Sequence, residues 1–326
     1  MADISAPSVP AISPRQVLII LAAFAAVSIV AFMVIGAKGS WSFILPFRGA
    51  KVWSMAMIGT AIAIATVLFQ TITANRILTP SIMGFDALFA LVRTVQVFFL
   101  GGLSYAMLPD QLQFTYETAV MVGLSTLLFR WLFGRASRDL YLLVLVGIVF
   151  GVLFRSLGGL MQRLINPNDF AVLQDSLFAS FNTTDQTLLG ISTIAIAGVC
   201  VWVWRLLPAL DVLNLGRDTA INLGVNYNRI VAQVLVIVAI LVSVSTALVG
   251  PVTFFGLLVA NLAYLVIRSH KHMLILPAAI LISIITLVGG QVVLERVFGY
   301  DTALAIIIEF VGGVVFIAML LRGSRT

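Results

Sequence analysis

Val234-Leu-Val-Ile-Val-Ala-Ile-Leu-Val-Ser-Val-Ser-Thr-Ala-Leu-Val249 runs for sixteen residues without a charge and stops at Gly250-Pro251. A half-buried strand would alternate apolar and polar side chains, and a soluble helix would keep one wet face; this run does neither. Its medium is hydrocarbon. A single segment in lipid must satisfy its own backbone hydrogen bonds, which makes it a helix.

Ala22 to Ile35 and Leu274 to Val288 read the same way. Spans of this kind fall near 17–35, 52–73, 81–101, 114–133, 140–160, 187–207, 230–249, 252–267, 273–294 and 302–321. Most approach the roughly 20 residues that cross a bilayer. The span at 252–267 is short and follows Gly250-Pro251, as a half-helix enclosed by its neighbours would. The expectation is an all-α integral membrane protein, a bundle of about ten helices in one domain. Composition agrees: 61% of the 326 residues are hydrophobic and 10% charged, against roughly 25% charged in soluble domains.

Residues 1–16, rich in serine and proline, read as a disordered cytoplasmic leader, 17–322 as the transmembrane domain and 323–326 as a cytoplasmic tail. With the N-terminus inside and ten crossings, twelve of the nineteen basic residues fall on the cytoplasmic side and six outside, with Arg93 within the membrane. That bias supports N-in and C-in. The outer six, which include Arg48, Lys51 and Arg296, exceed what the bias alone would leave.

Chemistry is sparse. The basic residues are dispersed rather than clustered with aromatics, so nucleic acid is not a partner. Cys200 is the one cysteine, which excludes an intrachain disulfide and a cysteine-built metal site. His270 and His272 sit in Arg-Ser-His-Lys-His-Met with no carboxylate nearby in sequence, and read as part of a solvated basic loop. No Gly-x-x-x-x-Gly-Lys-[Ser/Thr] loop occurs, so any ATP belongs to another chain. A secondary carrier would want a chain of buried carboxylates or histidines that the sequence lacks. Gly147-Ile-Val-Phe-Gly151 has the spacing at which small residues let helices approach.

Ionisable residues inside the spans are Asp86, Arg93, Glu117, Arg155 and Glu309. Each is costly against lipid, so each faces protein, water or an opposite charge. Asp86 and Arg93, seven apart, share a helix face; structural neutralisation and lining of a solute path both fit them. Pro208 to Arg229 is the longest polar-rich stretch on the cytoplasmic side, with helical pieces broken at Gly216 and ended at Gly224. An ordered segment of this kind suggests docking.

At these residues the sequence resembles the FecCD permeases, which import iron-siderophore complexes, haem and cobalamin through ATP-binding-cassette transporters. Leu213-Asn-Leu-Gly-Arg-Asp-Thr-Ala-Ile-Asn-Leu-Gly224-Val is similar to the family's coupling segment L-x-L-G-x-x-x-A-x-x-L-G-V, and Gly250-Pro-Val-Thr-Phe-Phe-Gly256-Leu-Leu to its G-P-I-x-F-x-G-L. The stretch from Gln70 through Asn75 and Pro80 to Gly84, and the closing Phe310-Val-Gly-Gly-Val-Val-Phe316, follow two further blocks. Arg76 stands where the family has proline, Ala260-Asn261 where it has Pro-His, and Gln291 to Arg296 alters its late D-x-x-x-R. These departures resemble the companion permease of two-permease siderophore cassettes.

The resemblance implies a bundle of the cobalamin-importer permease type in the bacterial inner membrane, carrying a ferric siderophore, with haem or cobalamin as alternatives. It implies an ATPase dimer that holds ATP and magnesium, a second permease as heterodimer or homodimer, and a substrate-binding protein; this chain needs no cofactor. It assigns ATPase coupling to Leu213, Leu215, Gly216, Arg217, Asp218, Ala220, Leu223 and Gly224, and binding-protein docking to Arg48, Lys51 and Arg296, for which anchoring to lipid headgroups is the other reading. Arg135, Ser137 and Arg138 fall at its cytoplasmic gate; Asp86, Arg93 and Glu309, as ionisable residues within the spans, are the candidates for the solute path or gate.

Overall fold

A computed structural model describes residues 13–37, 39–135, 140–178, 181, 185–297, 299 and 304–323. Among them the ten apolar spans are α1 (Pro14–Val34), α2 (Trp41–Thr73), α3 (Phe85–Leu100), α5 (Asp110–Arg135), α6 (Leu140–Leu164), α8 (Gln186–Leu213), α10 (Tyr227–Val249), α11 (Phe255–Val266), α12 (His272–Arg296) and α13 (Leu304–Gly323). Three short helices lie between them: α4 (Gly102–Ala106), α7 (Pro167–Leu177) and α9 (Arg217–Asn222). A single 3-10 turn, Pro80–Met83, precedes α3.

By length and composition α1, α2, α6, α8, α10 and α12 can each cross a membrane, which makes this a multi-pass membrane protein. α11, with 12 residues, spans only about 18 Å, the half-helix that Gly250-Pro251 announced. α2 and α10 form the centre: α2 packs on α12, α10, α11 and α8, and α10 packs on α2, α5 and α8. α1 lies outside against α12, and α6 lies outside against α3.

Helix ends differ from the sequence reading at three places. α1 starts at Pro14 rather than after residue 16, because Ser13 Oγ accepts from the Gln16 amide at 3.3 Å and Gln16 Oε1 accepts from the Ser13 amide at 2.9 Å. That reciprocal cap was present in Ser13-Pro-Arg-Gln16 but masked by the serines and prolines before it. α2 starts eleven residues before 52 and runs through Pro46, which sits early enough to forgo few backbone bonds. α8 continues through Pro208 to Leu213, so the first six residues of the segment 208–229 complete a membrane helix.

Two helix-end clusters fix the poles. Thr71 at the end of α2, Asp211 near the end of α8 and His272 at the start of α12 meet at one pole. At the other, Arg48 near the start of α2 and Arg296 at the end of α12 both reach Ile35, just beyond α1. α2 therefore runs from the second pole to the first and α12 runs back, while α1 ends at the second pole and α8 at the first. Between the poles, Gly84 (φ 92°) lies so close to α6 that a Cβ added to it would stand 2.5 Å from the Gly151 Cα. The glycine pair at 147 and 151 is thus a packing contact, as its spacing implied.

Candidate functional site

The corner after α8 is built by two glycines. Gly216 (φ 95°) turns the chain out of α8 and starts α9; Gly224 (φ 81°) ends it. The Val225 amide donates to the Ala220 carbonyl at 3.0 Å and the Gly224 amide to Ile221 at 2.9 Å, which is the paired closure a left-handed cap makes. Leu213 and Ala220 are buried and fasten the corner to the bundle. Leu215 and Leu223 are each 60% exposed, and Ile221, Arg217 and Asp218 also face outward. A rigid helix of six residues thus holds a small apolar tip clear of the protein.

His272 is not part of a solvated loop. It is 1% exposed, and its Nδ1 and backbone amide lie 2.6 Å and 2.8 Å from Asp211 Oδ1. Its Nε2 lies 2.8 Å from Thr71 Oγ1. The carboxylate that was absent nearby in sequence comes from 61 residues away. His270 remains exposed, as expected.

Arg93 does not pair with Asp86. Its Nε donates to Glu117 Oε1 at 2.9 Å, its Nη2 to Oε2 at 3.2 Å, and its Nη1 to the Ser176 carbonyl. The guanidinium also lies 4.3 Å from the centre of the Phe89 ring. Glu117 is fully buried, so this is a structural neutralisation that joins α3, α5 and α7.

Asp86 faces the other way, into a cavity of about 20 Å³ lined by Thr66, Thr79, Ser81, Ser245, Thr246 and Thr253 among others. That volume holds about one water. Its Oδ2 is buried without a hydrogen-bond partner, and its charged neighbours are Glu309 on α13 and Arg155 on α6. Asp86 and Arg93 therefore face different surroundings, Asp86 the small polar cavity and Arg93 the carboxylate of Glu117. Arg155 is exposed on α6, and Glu309 is partly exposed on α13. Arg135 is the last residue of α5; Ser137 and Arg138 lie outside the described residues.

The sequence profile of the FecCD transport family matches residues 10–322. The chain belongs to the FecCD transport family. It is 46% identical to the petrobactin import system permease protein YclO of Bacillus subtilis (strain 168) over 288 residues, covering 88% of this chain and 91% of that protein. It is 37% identical to the petrobactin import system permease protein FatC of Bacillus anthracis, covering 86% and 80%. Among solved structures, a metal-chelate type ABC transporter in an inward-facing conformation superposes with a TM-score of 0.83 at 20% identity, covering 95% of this chain and 99% of that one. That likeness concerns the fold.

Two departures from the FecCD pattern lie at one place in the fold. The Asn261 side-chain amide donates to the Arg76 carbonyl at 3.2 Å, and Gln70 donates to the same oxygen at 2.7 Å. The Arg76 guanidinium lies 4.7 Å from the centre of the Tyr264 ring. An asparagine and an arginine 185 positions apart thus form one joint between the end of α2 and α11.

The pole at Arg48 and Arg296 is more engaged than its charges suggested. Arg48 donates to the carbonyls of Phe32, Met33, Ile35 and Gly36 at 2.6–3.3 Å, and Arg296 to Ile35 at 2.6 Å. Both therefore satisfy the orphan carbonyls at the end of α1. Lys51 lies 4.8 Å from the centre of the Phe47 ring, with Glu295 in electrostatic reach.

Proposed function

We propose that this chain is the membrane-spanning permease subunit of an ATP-driven importer, moving a ferric siderophore from an external binding protein across the bacterial inner membrane. The α9 corner carries this reading. An apolar tip on a short helix held between two glycine turns at the pole of a membrane bundle suits a groove on a partner. That partner is an ATPase dimer, which holds ATP and magnesium and pushes on α9; Leu215, Ile221 and Leu223 enter it, while Leu213 and Ala220 tie the push to the bundle. Import then follows from a switch between two packings that ATP binding favours unequally.

The outward faces of α6 and α13 support a second permease subunit. Val149, Val152 and Leu153 on α6 and Phe310 and Val314 on α13 are exposed, yet the same two helices carry Arg155 and Glu309. A charge on a lipid-facing surface costs several kcal/mol, which supports another permease packed on this face across the solute path, and the resemblance to two-permease cassettes favours a heterodimer over a homodimer. The outer pole suits the binding protein. Carbonyls occupy the donors of Arg48 and Arg296 without cancelling their charge, which leaves a positive rim that steers an acidic surface.

Petrobactin, for which both bacillar relatives are named, leads the ferric siderophores to be tried. Uptake of labelled ferric petrobactin and a panel of other ferric siderophores by cells with and without this chain tests the reading. Loss of uptake of one member on deletion is expected; equal uptake of all of them would overturn it.

A further inference from the structure

We propose that Asp211 and His272 are positioning residues of the coupling corner, a latch that ties the end of α8 to α2 and α12 so that a push on α9 moves the bundle rather than bending the corner. The proposal rests on α9 being the coupling element.

The need for such a tie follows from the packing. α9 leans chiefly on α8 and α10, and Gly216, the link through which it is driven, has the least restricted backbone of any residue type. Force entering at Leu215 or Leu223 passes first into the last turn of α8. Apolar contacts at Leu210 and Leu213 hold that turn in place, but they are non-directional and permit sliding.

The latch supplies direction. Asp211 stands two residues before the end of α8, and one of its oxygens receives both the backbone amide and the Nδ1 hydrogen of His272. A carboxylate only accepts, so both groups converge on it as donors. His272 is the first residue of α12, where backbone amides lack partners within the helix, and Asp211 fills one of those vacancies. The far side of the ring meets Thr71, whose hydroxyl also lies 2.9 Å from the Val67 carbonyl in α2. Asn214 adds a second tie, its side chain 3.4 Å from the His270 carbonyl. Three helices from distant parts of the chain thus meet on one imidazole, 1% exposed, directly beneath the corner. α2 and α12 are the pair that spans both poles, so motion passed to them reaches the outer end at Arg48 and Arg296.

The test uses the complete importer, purified through a tag on this chain and reconstituted in proteoliposomes, with ferric petrobactin imported per ATP hydrolysed as the readout. Asp211→Ala and His272→Ala are each expected to lower that ratio about fivefold or more while the ATPase still co-purifies in wild-type amount. The double variant is expected to be no worse than either single one, because the two residues act as a unit. Asp211→Asn keeps a carbonyl acceptor and is expected to restore most of the ratio. A wild-type ratio in both alanine variants, or strictly additive losses, would overturn the latch.

If an alanine variant fails to reach the membrane, Thr71→Val decides, since it removes the ring's partner in α2 and, besides that, only a local contact within α2: a reduced ratio supports the latch and an unchanged one overturns it. Gly216→Val separates this proposal from the reading beneath it. Import and ATPase association unaffected by Gly216→Val would sink the coupling role itself; loss there with a wild-type ratio in Asp211→Ala would sink the latch alone.

Discussion

α10 and α6 are both uncharged over most of their length, yet 72% of the apolar window of α10 is buried inside the protein and only 17% of that of α6. Their mean hydropathies, 2.5 and 2.1, would not separate them. What separates them is neighbours: α2, α5 and α8 surround α10, whereas α6 touches the bundle chiefly along α3 and the turn before it. Hydropathy reports that a helix avoids water; it does not report whether lipid or protein takes water's place. Under the proposed function, the exposed arginine on this outermost helix marks the face that a second permease would cover.

The comparison can be broken by stability and transport measurements on the same variants. The largest effect belongs to the half of the bundle around α10. Arg93→Leu would leave Glu117 on α5 buried and unpaired, at a cost of about 3–5 kcal/mol. Titration of the detergent-solubilised protein with SDS should show this as an early transition, and a transition at the wild-type position would mean the pair is not what holds α3 to α5.

Leu235→Ala opens a cavity in the fully buried face of α10 and should cost about 2–5 kcal/mol in the same titration. A loss well under 1 kcal/mol would show that α10 is looser than its burial indicates. Gly151→Ala comes next. A methyl there would stand 2.9 Å from the Gly84 Cα, close enough to force α6 off the turn, at about 1–3 kcal/mol.

Leu153→Ala and Arg155→Leu on the exposed face of α6 should each leave stability within about 0.5 kcal/mol of wild type. The two then diverge: Arg155→Leu should depress siderophore uptake and Leu153→Ala should not. Equal uptake in both would mean that Arg155 faces lipid headgroups rather than the solute path.

The helices were legible because apolar runs are local, and each of the ten was visible without a neighbour. Their ends were less so. Arg48 and Lys51 made the start of α2 look like a loop, although Arg48 is there to satisfy the carbonyls that close α1, a need created only when the two helices stand side by side. The corner at Gly216 and Gly224 was legible for a different reason: a left-handed cap leaves its glycine in the sequence. Arg93 was legible as a charge within the membrane but its acid was not, since helical spacing offers neighbours on its own helix and Glu117 lies 24 residues away. His272 was misread because its acid lies 61 residues upstream, on another helix.

The sequence by itself determined that this chain lives in a membrane, how many apolar segments it has, and where the corner at Gly216 breaks from the bundle. All three follow from runs, breaks and glycines that act within a few residues. Only the tertiary structure decided which charge meets which, that Asn261 holds the Arg76 carbonyl, that His272 is a buried tie, and that α10 is core while α6 is a face. Those are pairings between segments far apart in the chain, and a pairing energy exists only once folding has brought both partners within a few ångströms.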